Sequence, residues 1–173
     1  MAGTLSLAAE AKRKGGLILY DPNIRSPHKN QILALRNDVF ENIKLADMVR
    51  GSDEDFKNMF DIEIGSEAYE LVSKLGCDIL IYTKSNTGVE VFLPGGMTEY
   101  PVPNVETVST IGAGDSFNAG LIYELFQLED KTKAGIENNM EQLVRTAISF
   151  GSHVCTHYEN YVTEAYANQL KRN

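Results

Sequence analysis

Short apolar runs alternate with segments of helical period through the first half of this chain, and that alternation restricts the fold more than any other feature. Thr4 to Lys14 read as a helix closed by Gly15-Gly16, and Leu17 to Tyr20 follow as a short buried strand ending at Asp21-Pro22. Asn30 to Leu45 predict a helix, Ala46 to Val49 a short strand, and Asp53 to Phe60 a helix. Ser66 to Leu75 predict another helix before Gly76, and Asp78 to Thr83 a strong strand. Strands separated by helices in this way predict an α/β fold, a mostly parallel sheet flanked by helices. Val89 to Leu93 and Met97 to Val102 flank Pro94-Gly95-Gly96, which has the chemistry of a hairpin turn and adds an antiparallel excursion. The remainder reads as helical, over Ala113 to Leu128, about Asn138 to Cys155, and Thr163 to Lys171. No repeat, low-complexity tract or linker interrupts it. With 173 residues, 43% of them hydrophobic, the chain has material for one substantial core and reads as one domain over residues 1–173.

The candidate chemistry lies at the start of the 113–128 helix. Residues 107 to 120 read Thr-Val-Ser-Thr-Ile-Gly-Ala-Gly-Asp-Ser-Phe-Asn-Ala-Gly. Gly112 and Gly114 lack a Cβ, so the backbone can take conformations closed to other residues and lie close against a ligand. Phe117, Leu121, Leu125 and Leu128 recur at helical spacing, with Ile122 and Phe126 broadening the stripe. Free N–H groups at such a helix start, together with the macrodipole, favour an anion such as the oxygens of a transferring phosphoryl group. Asp115 falls in the same turn and can accept the proton of an attacking hydroxyl. The bland alternative is a close-packed strand-to-helix turn whose Asp serves only the helix dipole.

The longer run weighs against the bland alternative. Thr110 to Gly120 closely resembles the DTxGAGDxFxAG signature of the ribokinase-like, or PfkB-type, carbohydrate kinases. The resemblance implies that the backbone of Gly112, Ala113 and Gly114 forms an anion hole and that Asp115 is the base activating a sugar hydroxyl, with ATP as phosphoryl donor and Mg2+ as cofactor. Asp21-Pro22-Asn23-Ile24-Arg25, just beyond a strand's C-terminal end, resembles the DPNxR of the fructokinase and 2-keto-3-deoxygluconate kinase branches. Asn23 and Arg25 are thereby substrate or phosphate ligands; Arg25 offers a planar fork either to a substrate carboxylate or to the nucleotide. Without the resemblance, the same five residues are equally a turn with a solvated arginine.

Ile81 to Gly88 resembles the family's TxGxxG segment, which lines the nucleotide phosphates. It implies nucleotide contacts from Thr83, Lys84, Ser85 and Gly88, although Ser85 stands where the family has its first glycine. Ser52-Asp53-Glu54-Asp55 occupies the place of the family's NxxE motif, so Asp55 is the candidate for placing magnesium, through water because its arm is shorter. Ser followed by acidic residues is also a good helix N-cap with dipole-matched charges. Ser109 replaces the Asp that helps build a monovalent-cation site in several members, which argues against potassium.

A formal charge of −8 lacks the basic face of a nucleic-acid binder, and no apolar run approaches the roughly 18 residues of a membrane span. No positively charged segment leads into an apolar stretch at the start, so the cytoplasm is the expected location. Cys77 and Cys155 are too few and too separated for a disulfide framework or a zinc site. His153 and His157 share a helix face but lack the further ligands zinc needs, and read as surface or packed side chains. By the same resemblance the chain starts midway through the family's sequence, with the first strands and the β lid over the sugar lying before Thr4. A half sheet leaves an open edge, and the expected partners are therefore a small-molecule sugar, ATP, and either a second copy or the missing N-terminal half docked on that edge. Weak or absent turnover of the chain alone is expected. Two classes of function remain: an ATP-dependent sugar kinase, or a non-catalytic nucleotide- or sugar-binding remnant acting through a partner.

Overall fold

The computed structural model describes residues 2–24 and 29–170. Its tertiary contacts divide the chain into two compact units, Met1–Pro101 and Val102–Asn173.

The first unit holds the sheet. Helix α1 (Ala2–Arg13) leads into β1 (Leu19–Tyr20), α2 (Lys29–Leu45) into β2 (Met48–Ser52), and α3 (Asp53–Phe60) with α4 (Gly65–Lys74) into β3 (Leu80–Thr83). The sheet order is β1-β2-β3-β4-β5, with β1, β2 and β3 parallel and with β4 (Val89–Leu93) antiparallel to both β3 and β5 (Gly96–Tyr100). Four of the five strands thus point one way, as the alternation predicted. All four residues of β3 are buried, as befits a central strand covered on both faces. The core is built from Val39 and Ile43 of α2, Phe56 and Met59 of α3, Ala68 and Val72 of α4, and Val49, Leu80 and Tyr82 of the strands. Burial of each of the larger aliphatic and phenylalanine side chains contributes about 1.5–3 kcal/mol, which is what holds the helices to the sheet.

Helix α3 begins where the sequence predicts. Ser52 caps it: the Ser52 hydroxyl accepts the Asp55 N–H, and the Asp55 carboxylate returns the bond to the Ser52 N–H.

The second unit contains α5 (Ala113–Gln127), α6 (Lys133–Asn138), α7 (Met140–Cys155) and α8 (Glu164–Leu170). Helices α5 and α7 approach so closely that a Cβ added at Gly120 would lie 2.6 Å from the Ala147 Cα. Thr146 on α7 donates to Glu124 Oε1 on α5 at 2.7 Å, a polar tie beside that apolar contact. The single helix predicted from about Asn138 is preceded by α6, which Thr132 caps by accepting the Gly135 N–H. No helix among the described residues is long and apolar enough to cross a membrane.

Candidate active site

The second unit presents the glycine turn. Gly112 is the N-cap of α5 and sits in the left-handed region at φ 82°, ψ −2°. A Cβ there would lie 2.5 Å from the Asn160 carbonyl oxygen, so both the dihedral and the neighbouring 156–162 segment require glycine. The Ala113 N–H donates to Thr110 O at 3.2 Å, and Ser116 N–H closes the first intrahelical bond to Gly112 O at 2.8 Å. Between them, the N–H groups of Gly114 and Asp115 have no protein acceptor among the described residues. Of the three residues expected to form an anion hole, Ala113 therefore has its amide already bonded and Gly114 does not, and Asp115 adds a second such donor. Asp115 is exposed, while Ser116 and Phe117 behind it are buried. The turn thus presents two donors, the positive end of a 15-residue helix, and one carboxylate.

Among the described residues, the first unit places Asn23, Thr83 and the turn from Lys84 to Gly88 just at or beyond the C-terminal ends of β1 and β3, where open α/β sheets hold ligands. Asn23, beyond β1, is exposed at φ 45°, and its N–H donates to Asp21 Oδ1 at 3.0 Å. Arg25 lies outside the described residues. Thr83 ends β3 and is buried, with its hydroxyl accepting from Arg50. Ser85 occupies the left-handed region at φ 51°, a backbone conformation that favours glycine although this residue is not one. Gly88 follows at φ 144°, and its carbonyl accepts the Lys84 N–H at 2.9 Å, closing the turn.

Two expected roles are altered by partners distant in sequence. The resemblance implies that Lys84 faces phosphate as a compact positive charge. Its ammonium is instead ion-paired to Glu90 at 2.6 Å and Glu99 at 3.0 Å, and those two hydrogen bonds hold its pKa above the usual lysine value. Asp55 was expected to place magnesium. The residue is 5% exposed and its carboxylate accepts three bonds, from Ile24 N–H at 2.6 Å, Ser52 N–H at 2.8 Å and Ser52 Oγ at 2.6 Å. Three accepted bonds leave this carboxylate little capacity for direct coordination of magnesium, whereas placement through water, the form expected from the sequence, needs no direct bond. Ser109 Oγ accepts the Ile111 N–H at 3.2 Å, an internal turn bond.

One residue escaped sequence reasoning. Arg50, in the middle of β2, has a side chain only 11% exposed and joins Asp21 to Thr83. A cation inside a buried strand requires a partner, and that requirement was the available signal. Burial pushes the phenols of Tyr20 and Tyr82 up to about 12, so neither accepts a proton near neutral pH. His153 stacks on Tyr166 at 4.1 Å and its Nε2 lies 3.0 Å from Thr163 Oγ1, a packed arrangement.

The architecture belongs to the ribokinase-like α/β class. It superposes on the aminoimidazole riboside kinase of Salmonella enterica, determined with aminoimidazole riboside and an ATP analog, with a TM-score of 0.81 at 24% identity over 97% of this chain and 55% of that one. It also superposes on the fructokinase of Vibrio cholerae O395, determined with fructose, ADP and calcium, with a TM-score of 0.79 at 25% identity over 92% and 51% of the two chains. Residues 2–164 match the pfkB family carbohydrate kinase model, and the chain belongs to that family. Among curated proteins it is 35% identical over 121 residues to a fructokinase of Klebsiella pneumoniae, covering 69% of this chain and 39% of that protein. It is 27% identical over 118 residues to the aminoimidazole riboside kinase of Salmonella typhimurium, covering 68% and 37%. The chain thus spans well under half the length of these curated relatives and about half that of the solved kinases.

Proposed function

We propose that this chain carries the phosphoryl-transfer part of an ATP-dependent sugar kinase of fructokinase type. Asp115 takes the proton from a sugar hydroxyl as that oxygen bonds to the γ-phosphorus of ATP, and the bond to the β,γ-bridging oxygen breaks to leave ADP. The amides of Gly114 and Asp115 donate to the phosphoryl oxygens as charge builds on them. The left-handed cap at Gly112 carries this reading, because it puts two donors without acceptors among the described residues and an exposed carboxylate in one turn. Membership of the pfkB family supports it, as do the fructokinases among its relatives. Thr83, Ser85 and Gly88 are the proposed contacts to nucleotide phosphates, and Asn23 with Arg25 the contacts to an anionic group of substrate or nucleotide. None of these steps is assigned to a metal held by Asp55.

The test is Asp115→Ala in the protein, assayed with ATP against fructose, ribose, 2-keto-3-deoxygluconate and nucleosides. Loss of a positioned base lowers turnover by about 10²–10⁴-fold while leaving nucleotide affinity nearly unchanged. A fall smaller than about tenfold rules out the base role. The internal engagement of Lys84 and Asp55 favours a second reading, a non-catalytic nucleotide-binding remnant acting through a partner. That reading requires nucleotide binding without transfer to any of these acceptors.

A further inference from the structure

Within the first unit, one side chain ties together the ends of three parallel strands. Arg50 Nη1 donates to Asp21 Oδ2 at 2.9 Å, just beyond β1, and Nη2 donates to Thr83 Oγ1 at 2.9 Å, at the end of β3. The register brings these groups level, since Tyr20 pairs with Val49, and Arg50 and Ser52 pair with Ile81 and Thr83. Asp21 passes the connection on: its other oxygen, Oδ1, accepts the Asn23 N–H at 3.0 Å. The same loop is held on its far side by Asp55 Oδ1, which accepts the Ile24 N–H at 2.6 Å, and by Asn58 Nδ2, which donates to Ile24 O at 3.5 Å. A continuous line of polar contacts therefore runs from Asn23 through Asp21 and Arg50 to Thr83, where the turn carrying Ser85 and Gly88 begins.

Stability alone does not call for this arrangement. Apolar residues of similar volume replace a buried ion pair without loss in many proteins, because desolvating the charges offsets their attraction. What the guanidinium supplies is geometry: two nitrogens on one rigid plane, each aimed at a group on a different strand, a fixed relation that a lysine ammonium cannot reproduce.

We infer that Arg50 is a positioning residue that sets the Asn23 loop and the Thr83–Gly88 turn at a fixed separation, so that both engage the phosphate chain of one nucleotide. The inference rests on the kinase reading above. It goes beyond that reading by assigning a role to a residue whose guanidinium is held by Asp21 and Thr83, and by making Asp55 the second anchor of the same loop.

The experiment compares Arg50→Gln, Arg50→Lys and Asp21→Asn with the wild-type chain. Amide hydrogen exchange is read at Asn23 and Ile24, and calorimetric binding is measured for ADP and for adenosine. Expected for Arg50→Gln are exchange at both amides faster by about tenfold or more, and ADP affinity weaker by about tenfold with adenosine affinity unchanged. Asp21→Asn accelerates the same amides, and Arg50→Lys gives an intermediate ADP affinity because it keeps a single contact. Unchanged exchange at Asn23 and Ile24 in Arg50→Gln overturns the inference. So does equal weakening of ADP and adenosine, which is what general loosening of the fold produces. Should Arg50→Gln fail to fold, Asp21→Asn, which keeps the cation and the Thr83 bond, decides by the same two readouts. Absence of ADP binding in the wild-type chain refutes the kinase reading, and the exchange comparison still decides whether Arg50 holds the loop.

Discussion

Gly112→Ala puts the turn that begins α5 under a double strain, and the size of each part follows from the structure. An L-residue at φ 82° is in the left-handed region, at a cost of about 1–2 kcal/mol. The new Cβ also meets Asn160, lying 2.5 Å from its carbonyl oxygen and 2.9 Å from its Cβ. The oxygen belongs to the backbone and has no rotamer in which to withdraw, so the 156–162 segment must shift, an overpacking cost of about 1–3 kcal/mol. Stiffening the unfolded chain returns about 0.4–1 kcal/mol, leaving a net loss of about 1–5 kcal/mol. For a chain of this size each kcal/mol moves the melting temperature by roughly 2–4 °C, so the expected fall is roughly 2–20 °C. Urea unfolding followed by circular dichroism measures the loss directly, provided the m-value is unchanged. Gly112→Asn separates the two parts, because asparagine tolerates the left-handed region yet carries the same Cβ; it should retain the steric share of the loss. A Gly112→Ala protein within about 0.5 kcal/mol of wild type would refute both the cap conformation and the contact with Asn160.

Further outcomes follow from the partners named above. Asp55→Ala removes the acceptor of the Ile24 and Ser52 N–H groups and the α3 capping box, and is expected to cost about 2–3 kcal/mol in urea unfolding. That loss should be the same with excess EDTA as with magnesium; a magnesium-dependent difference would restore the metal role. Ser85→Val forces a β-branched residue to φ 51° and should lose about 1–2 kcal/mol, whereas Ser85→Gly should be tolerated. Burial, and secondarily the neighbouring His157, hold the His153 pKa below its ordinary value. The unfolded state then binds the proton more readily than the native one, so stability is full above about pH 6.5 and falls as pH drops toward the native value. Melting temperatures at about pH 7.5 and about pH 5 should differ less in His153→Gln than in wild type.

Helix α3 was legible from end to end because its signals are local: Ser52 and Asp55 lie three residues apart and cap each other within one turn. Strand β2 was misplaced for the opposite reason. Predicted over 46–49 and found over Met48–Ser52, it continues through Arg50 and Ser52, polar residues that end an apolar run in sequence but find partners in the fold. Helix α6 was missed because six residues carry too little periodicity to register, and its Thr132 cap only marks a start.

The order of strands and helices, the hairpin and the glycine turn at α5 were determined by the sequence alone, because each rests on backbone preferences and side-chain period over a few neighbouring residues. Tertiary structure decided which charges face a ligand and which face the protein. Arg50 meets Asp21 and Thr83 across 29 and 33 residues, Asp55 meets Ile24 across 31, and Lys84 meets Glu99 across 15. Such pairings depend on strand register and helix placement, and a charged side chain carries no mark in the sequence of which distant group will neutralise it.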